Sequence, residues 1–198
     1  MKQTIMKKFL AMVAVAMMTA MSANAQSAGD LIFKGRLGGN VSTVTNNDDA
    51  KWKIGYSVSV GFDYMITNKL SAVVELNHNL IGSKSELADK NANLDYTHIP
   101  VLAKYYVTPW LALQAGPQIG FLFNAKIDGK SFKSTCKKTE FSIPLGASVE
   151  IPITKSAWMD RAIIDLRYHL GLTNTNKSGS ENCYNRAFIL TVGYMFDL

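Results

Sequence analysis

Beyond residue 30 the chain is written largely in period two. Over residues 52–66, Trp52, Ile54, Tyr56, Val58, Val60, Phe62, Tyr64 and Ile66 alternate with Lys53, Gly55, Ser57, Ser59, Gly61, Asp63 and Met65. An extended strand sends successive side chains to opposite faces, whereas a helix would scatter both sets around its circumference. The same alternation recurs over residues 31–43, 69–81, 94–107, 111–126, 138–151, 160–173 and 186–198, eight segments in all. On the polar face stand Lys34, Arg36 and Asn40, then Glu75 and Asn77, His98 and Lys104, Gln114, Gln118, Asn124 and Lys126. Further along come Glu140 and Glu150, then Arg161, Asp165, Arg167 and His169. Each segment reaches the ~9–11 residues that a tilted transmembrane strand needs.

The links between segments alternate in length. Those after the second and fourth, Thr67-Asn68 and Thr108-Pro109-Trp110, are tight, and the sixth is followed by Pro152 to Met159. The other links are longer and rich in Asn, Ser, Lys, Asp and Gly: Val44–Lys51, Gly82–Asn93, Ile127–Lys137 and Asn174–Asn185. An even strand number, short turns at one end and longer loops at the other predict an antiparallel up-and-down β-barrel with both chain ends on the periplasmic side.

Alternation alone does not say which face is buried, since a soluble barrel keeps its apolar face inside. Three features predict the inverted, membrane arrangement. The polar face is rich in Gly and Ser, which suit a narrow eight-stranded lumen. Its charges carry both signs and can compensate one another. Aromatic residues cluster near strand ends, where girdles meet lipid headgroups: Trp110 and Trp158 by the periplasmic links, Trp52 and Tyr184 by the outer rim. Enclosed charges are costly unless paired or hydrated. The expected lumen network is Glu75 and Lys104, with Glu150 and Arg161 as a pair near the periplasmic end and Asp165 and Arg167 above them.

The N-terminus changes the picture of where the protein resides. Lys2, Lys7 and Lys8 precede a short apolar stretch, Phe9 to Ala20, and then Ala23-Asn24-Ala25. That is the layout of a secretory signal peptide, with cleavage expected between Ala25 and Gln26. The expected organisation is a signal peptide over residues 1–25 and an outer-membrane barrel domain over residues 26–198. The formal net charge of +6 falls to +3 without the three signal lysines, which gives no reason to expect a nucleic-acid partner. Cys136 and Cys183 fall in the third and fourth outer loops. In an oxidising compartment they form a possible disulfide or two free thiols, and spacing does not choose between these.

Thr191, Gly193, Phe196 and Leu198, in Thr191-Val192-Gly193-Tyr194-Met195-Phe196-Asp197-Leu198, resemble the C-terminal insertion signal of outer-membrane barrels. The resemblance implies the barrel-insertion machinery as a partner. The stretches Tyr96-Thr97-His98-Ile99-Pro100-Val101-Leu102-Ala103-Lys104-Tyr105, Ala115-Gly116-Pro117-Gln118-Ile119-Gly120-Phe121-Leu122 and Leu166-Arg167-Tyr168-His169-Leu170-Gly171-Leu172-Thr173-Asn174 resemble the PorT-like outer-membrane β-barrel family. This resemblance runs over nearly the whole chain after the signal and implies an eight-stranded barrel of OmpX or OmpA type.

A fold hosts many functions, so function is read from sites. The leading expectation is a small non-enzymatic barrel with a structural, adhesive or surface-interaction role through its outer loops. The alternative is a component of an outer-membrane secretion or export machinery. Outer-membrane lipid and lipopolysaccharide are the expected partners, with the third loop (Lys126, Lys130, Lys133, Lys137, Lys138) as a candidate contact for anionic groups. His78, His98 and His169 show no His-x-Ser spacing, so catalytic residues are not expected. Eight strands leave little room for a channel. The linear spacing shows no metal cluster and no cofactor fingerprint.

Overall fold

In the computed structural model, residues 27–45, 50–85, 90–127, 130–156, 159–175 and 182–198 are described. The expected signal peptide, its Ala25–Gln26 cleavage point, Asp128 and Trp158 lie outside them. The strands are β1 (Leu31–Thr45), β2 (Ala50–Lys51), β3 (Lys53–Thr67), β4 (Leu70–Ser85), β5 (Lys90–Thr108), β6 (Leu111–Ala115), β7 (Gln118–Ile127), β8 (Lys130–Ser131), β9 (Thr139–Ser156), β10 (Met159–Gly171) and β11 (Tyr184–Asp197). A 3-10 turn spans Lys133–Thr135.

The protein is all-β and antiparallel. Among the described residues there are eleven strands rather than eight uninterrupted ones, for two reasons. The fifth expected strand is divided at Gly116-Pro117 into β6 and β7, and a proline contributes no N–H to a ladder. The two-residue strands β2 and β8 pair with β4 and β7 and lengthen the outer hairpins. The remaining order is a meander that closes on itself, because β1 pairs with both β3 and β11.

The closure is staggered. Leu31 faces Tyr64, and successive partners run through Ala72, Ala103, Ala115, Leu145, Tyr168 and Phe188 back to β1 at Val41, ten residues further along. Strand tilt and stagger are linked in a barrel, so side chains at similar height come from positions well offset in sequence.

Period two decides the faces. Leu37, Ile54, Val58, Leu76, Val101, Leu113, Leu166, Leu190 and Val192 are exposed on the outside, while ten Lys, Arg, Asp and Glu residues are buried inside. This inside-out distribution is stable only where the outer surface meets lipid. Two aromatic clusters stand on the outer surface near its ends. Phe33 lies 5.3 Å from Phe62 and 6.1 Å from Phe196, towards the chain termini. Trp52 and Tyr168 lie 5.9 and 4.8 Å from Phe188, towards the other end. Aromatic girdles at both headgroup levels are characteristic of such barrels.

Two segments depart from the alternation read off the sequence. At Phe123 the register of β7 against β5 shifts by one, so Asp95 faces Asn124 and Tyr96 faces Leu122. After this bulge Ala125 is buried and Lys126 is exposed, the reverse of the expected facing for Lys126. A bulge adds one residue to one strand and moves every later side chain to the other face. The expected link Pro152 to Met159 is largely strand: β9 runs to Ser156 and β10 starts at Met159, with a register irregularity between Met159 and Arg161.

Candidate functional site

The lumen is built from inward positions of strands whose outward positions are apolar. It has three layers. At the end holding the chain termini, Ile32, Met65, Tyr106, Ala112, Ile163 and Met195 form a buried apolar cluster. At the opposite end Ile81, Leu94, Tyr96, Leu122, Ala125 and Ala187 form a second one, with Phe132 and Cys136 of the third outer loop packed against it. Between the clusters the contents are polar.

The polar layer holds five buried carboxylates (Asp63, Glu75, Glu140, Glu150, Asp165) and five buried cations (Lys34, Arg36, Lys104, Arg161, Arg167) among the described residues. Glu75 is the hub. Lys34 Nζ lies 2.8 Å from its Oε1, and Arg36 Nη2 lies 2.8 Å from its Oε2. Arg167 grips it bidentately, Nη1 to Oε2 at 2.5 Å and Nη2 to Oε1 at 2.9 Å. Arg167 Nε and Arg36 Nη1 each reach Asp165 Oδ1 at 2.8 Å, and Gln114 donates to Asp165. The fork of a guanidinium matches two carboxylate oxygens, which suits Arg167 to the bidentate grip on Glu75.

Nearer the termini, Asp63 Oδ1 forms an ion pair with Lys34 Nζ at 2.5 Å, and its Oδ2 accepts from Lys104 at 3.0 Å. Lys104 also bonds Glu150, to which Tyr106 donates at 3.0 Å. Arg161 bridges Glu150 at 3.5 Å and the half-exposed Asp197 at 2.5 Å. Replacing Arg161 by Gln should therefore lower the melting midpoint of the barrel, at a cost of about 1–3 kcal/mol. The loss is moderate because Glu150 keeps Lys104 and Tyr106. An unchanged thermal melt in detergent would remove Arg161 from the stabilising network.

All six residues expected in the lumen network are buried there. The expected pair of Glu150 and Arg161 forms, Asp165 meets Arg167, and the inward-facing Glu75 and Lys104 meet Arg167 and Glu150. Lys34, Arg36 and Asp63, which also stand on polar faces of the pattern, join the network. Glu140 stands on a polar face as well and forms a separate group with His98 and His169, although the linear spacing suggested no metal cluster. The three come from β5, β9 and β10, and only the closed barrel joins them.

The remaining residues of interest fall as follows. Thr191 is buried and within 3.5 Å of Arg36 Nη1, the Phe196 ring is tilted against Phe33, and Leu198 is exposed. Cys136 and Cys183 are not joined to each other, so the possible disulfide is not formed here. Cys136 packs on the outer apolar cluster, and burial pushes its thiol up from the usual range. The Cys183 carbonyl is held by Thr175. In the third loop Lys130, Lys137 and Lys138 are exposed. Lys133, Lys137 and Lys138 line an open concavity with Ser134, Cys136 and Thr139.

A closed antiparallel barrel with an apolar exterior, aromatic girdles and a charge-balanced interior defines the class: an integral β-barrel of the bacterial outer membrane. The chain belongs to the outer membrane protein beta-barrel domain family, which matches residues 12–196. Among solved structures, OprG of Pseudomonas aeruginosa is 13% identical, with a TM-score of 0.54 over 88% of this chain and 99% of that one. AlkL, determined in lipid bilayers, is 14% identical, with a TM-score of 0.51 over 89% and 94% of the two chains. Ail of Yersinia pestis is 16% identical over 86% of this chain and all of that one, with a TM-score of 0.47. These likenesses concern the fold. No curated protein matches the chain.

Proposed function

We propose that this protein is a non-enzymatic outer-membrane scaffold that acts through its outer loops, in a structural, adhesive or surface-binding role. The observation that carries this reading is the filled lumen. Apolar clusters close both ends. A cavity between Arg36, Asn77, Gln118, Asp165 and His169 has a volume of about 20 Å3, the scale of a single water. Among the described residues no serine hydroxyl is hydrogen-bonded to a histidine; His98 and His169 bond Glu140, and His78 bonds Tyr56 and Thr97. The interior therefore supports neither a solute path nor an activated nucleophile. The exterior offers the lysine-lined third loop, which suits the phosphates of lipopolysaccharide.

The chain is exported with cleavage between Ala25 and Gln26, and Thr191, Gly193, Phe196 and Leu198 present it to the insertion machinery. The test uses purified barrels in lipid vesicles with immobilised lipopolysaccharide. Replacing Lys130, Lys133, Lys137 and Lys138 by Gln should weaken binding at least tenfold, at roughly 1 kcal/mol per lysine near an anionic surface. Equal binding by both proteins would refute the loop as the contact. Stable conductance in planar bilayers would refute the sealed lumen.

A second reading follows from the PorT-like stretches Tyr96–Tyr105, Ala115–Leu122 and Leu166–Asn174: a part in an outer-membrane export machine. Co-purification of large membrane partners from native envelopes favours it; isolation as a barrel alone favours the surface role.

A further inference from the structure

We propose that His98, Glu140 and His169 form a zinc-binding site inside the barrel, beneath the outer apolar cluster. Their ligand atoms all lie within 4.8 Å of one another. His98 Nε2 is 3.4 Å from Glu140 Oε2, and His169 Nε2 is 3.1 Å from Glu140 Oε1. Zinc bound to nitrogen and oxygen at ~2.0–2.2 Å in a tetrahedron sets its ligands about 3.3–3.5 Å apart. Each imidazole already stands near that spacing from one oxygen of the carboxylate, and the three ligand atoms need only a small adjustment to share one ion. Two imidazoles and one carboxylate suit a borderline ion such as zinc rather than calcium or magnesium, which prefer all-oxygen sites.

Three further observations point to a bound cation. First, Glu140 is the one buried carboxylate among the described residues without a lysine or arginine ion pair; the other four each have two or three. Its ion-pair partners among the described residues are the two imidazoles, so with both histidines neutral no described cation balances its charge. A divalent ion compensates it.

Second, the histidines carry the outer support that metal ligands need. Asn79 Nδ2 lies 3.0 Å from His98 Nδ1, and Gln118 Nε2 lies 3.1 Å from His169 Nδ1. As placed, each amide N–H donates to Nδ1 and leaves Nε2–H towards Glu140; on metal binding a half-turn of each amide would set its oxygen against Nδ1–H and leave Nε2 bare for the ion. Tyr96 stacks on the His98 ring at 5.3 Å.

Third, the space around the cluster is kept open by two glycines. A Cβ on Gly120 would stand 2.7 Å from His98 Nε2, and one on Gly171 would stand 2.7 Å from Glu140 Oε1. Any larger residue at either place would press on the ligand atoms.

The outer apolar cluster covers the site, so the ion enters as the barrel forms. The test refolds the full chain from urea into detergent with and without zinc, removes loose metal by gel filtration, and measures zinc by elemental mass spectrometry. The folded wild type should retain one zinc per chain and melt at a higher temperature than the metal-free barrel. Glu140→Gln and His98→Gln, each checked for folding by heat-dependent gel migration, should retain none. His78→Asn should behave as wild type, because His78 lies on the outer side against Tyr56. Asn79→Ala should bind about 10–100-fold more weakly through loss of ligand support. A folded wild type without zinc, or equal zinc in wild type and the folded Glu140→Gln and His98→Gln variants, would overturn the site.

Discussion

Replacing Glu75 by Gln should lower the unfolding free energy of the barrel by about 3–5 kcal/mol, the scale of breaking a buried ion pair by removing one partner. Glutamine keeps the shape of the side chain but not its charge. Lys34, Arg36 and Arg167 all converge on this carboxylate, and their desolvation is offset largely through it. Urea unfolding of barrels in lipid vesicles, followed by tryptophan fluorescence, reads the loss as a lower midpoint at unchanged slope. A double variant with Arg167→Gln should lose less than the two single variants together, because the second change removes a cation the first has stranded. A wild-type midpoint for Glu75→Gln would show that the lattice contributes nothing to stability.

Replacing Leu166 by Arg should cost about 2–4 kcal/mol in a bilayer, the penalty for a cation near the membrane midplane of a barrel. Leu166 is 51% exposed near the middle of β10. On a water-soluble protein an arginine there would be nearly neutral, since surface changes seldom exceed ~0.5 kcal/mol. The same substitution at Leu31, the first residue of β1, should cost only ~0–1 kcal/mol, because depth sets the penalty. Reversible unfolding in vesicles of defined thickness separates the two positions. Equal, small effects at both would mean that this face does not meet lipid.

How legible these features are in the sequence depends on how many contacts define them. The facing of Val58, Leu166 or Glu75 needs only local alternation, and the structure places each as the pattern predicts. Strand ends and loop lengths were less legible, since hairpins run past the rim: β4 reaches Ser85 and β5 begins at Lys90. The bulge at Phe123 carries no composition signal and reverses Lys126. Ion-pair partners were the hardest. Glu75 and Arg167 lie 92 residues apart, and which residues share a height depends on the ten-residue stagger of closure. The His98, Glu140 and His169 group was hidden for the same reason: its members share no element.

The lattice also bears on how the protein enters its membrane. Arg36 of β1 neutralises Asp165 of β10, and Glu75 of β4 neutralises Arg167 of β10. Each half of the chain is left one charge out of balance, with Lys34, Arg36 and Lys104 against Asp63 and Glu75 in the first and Arg161 and Arg167 against Glu140, Glu150 and Asp165 in the second. An open sheet laid into lipid would present bare ions to hydrocarbon until β1 meets β11. Seam closure is therefore the event that makes the interior electrically quiet, and assembly should proceed as one concerted passage rather than hairpin by hairpin.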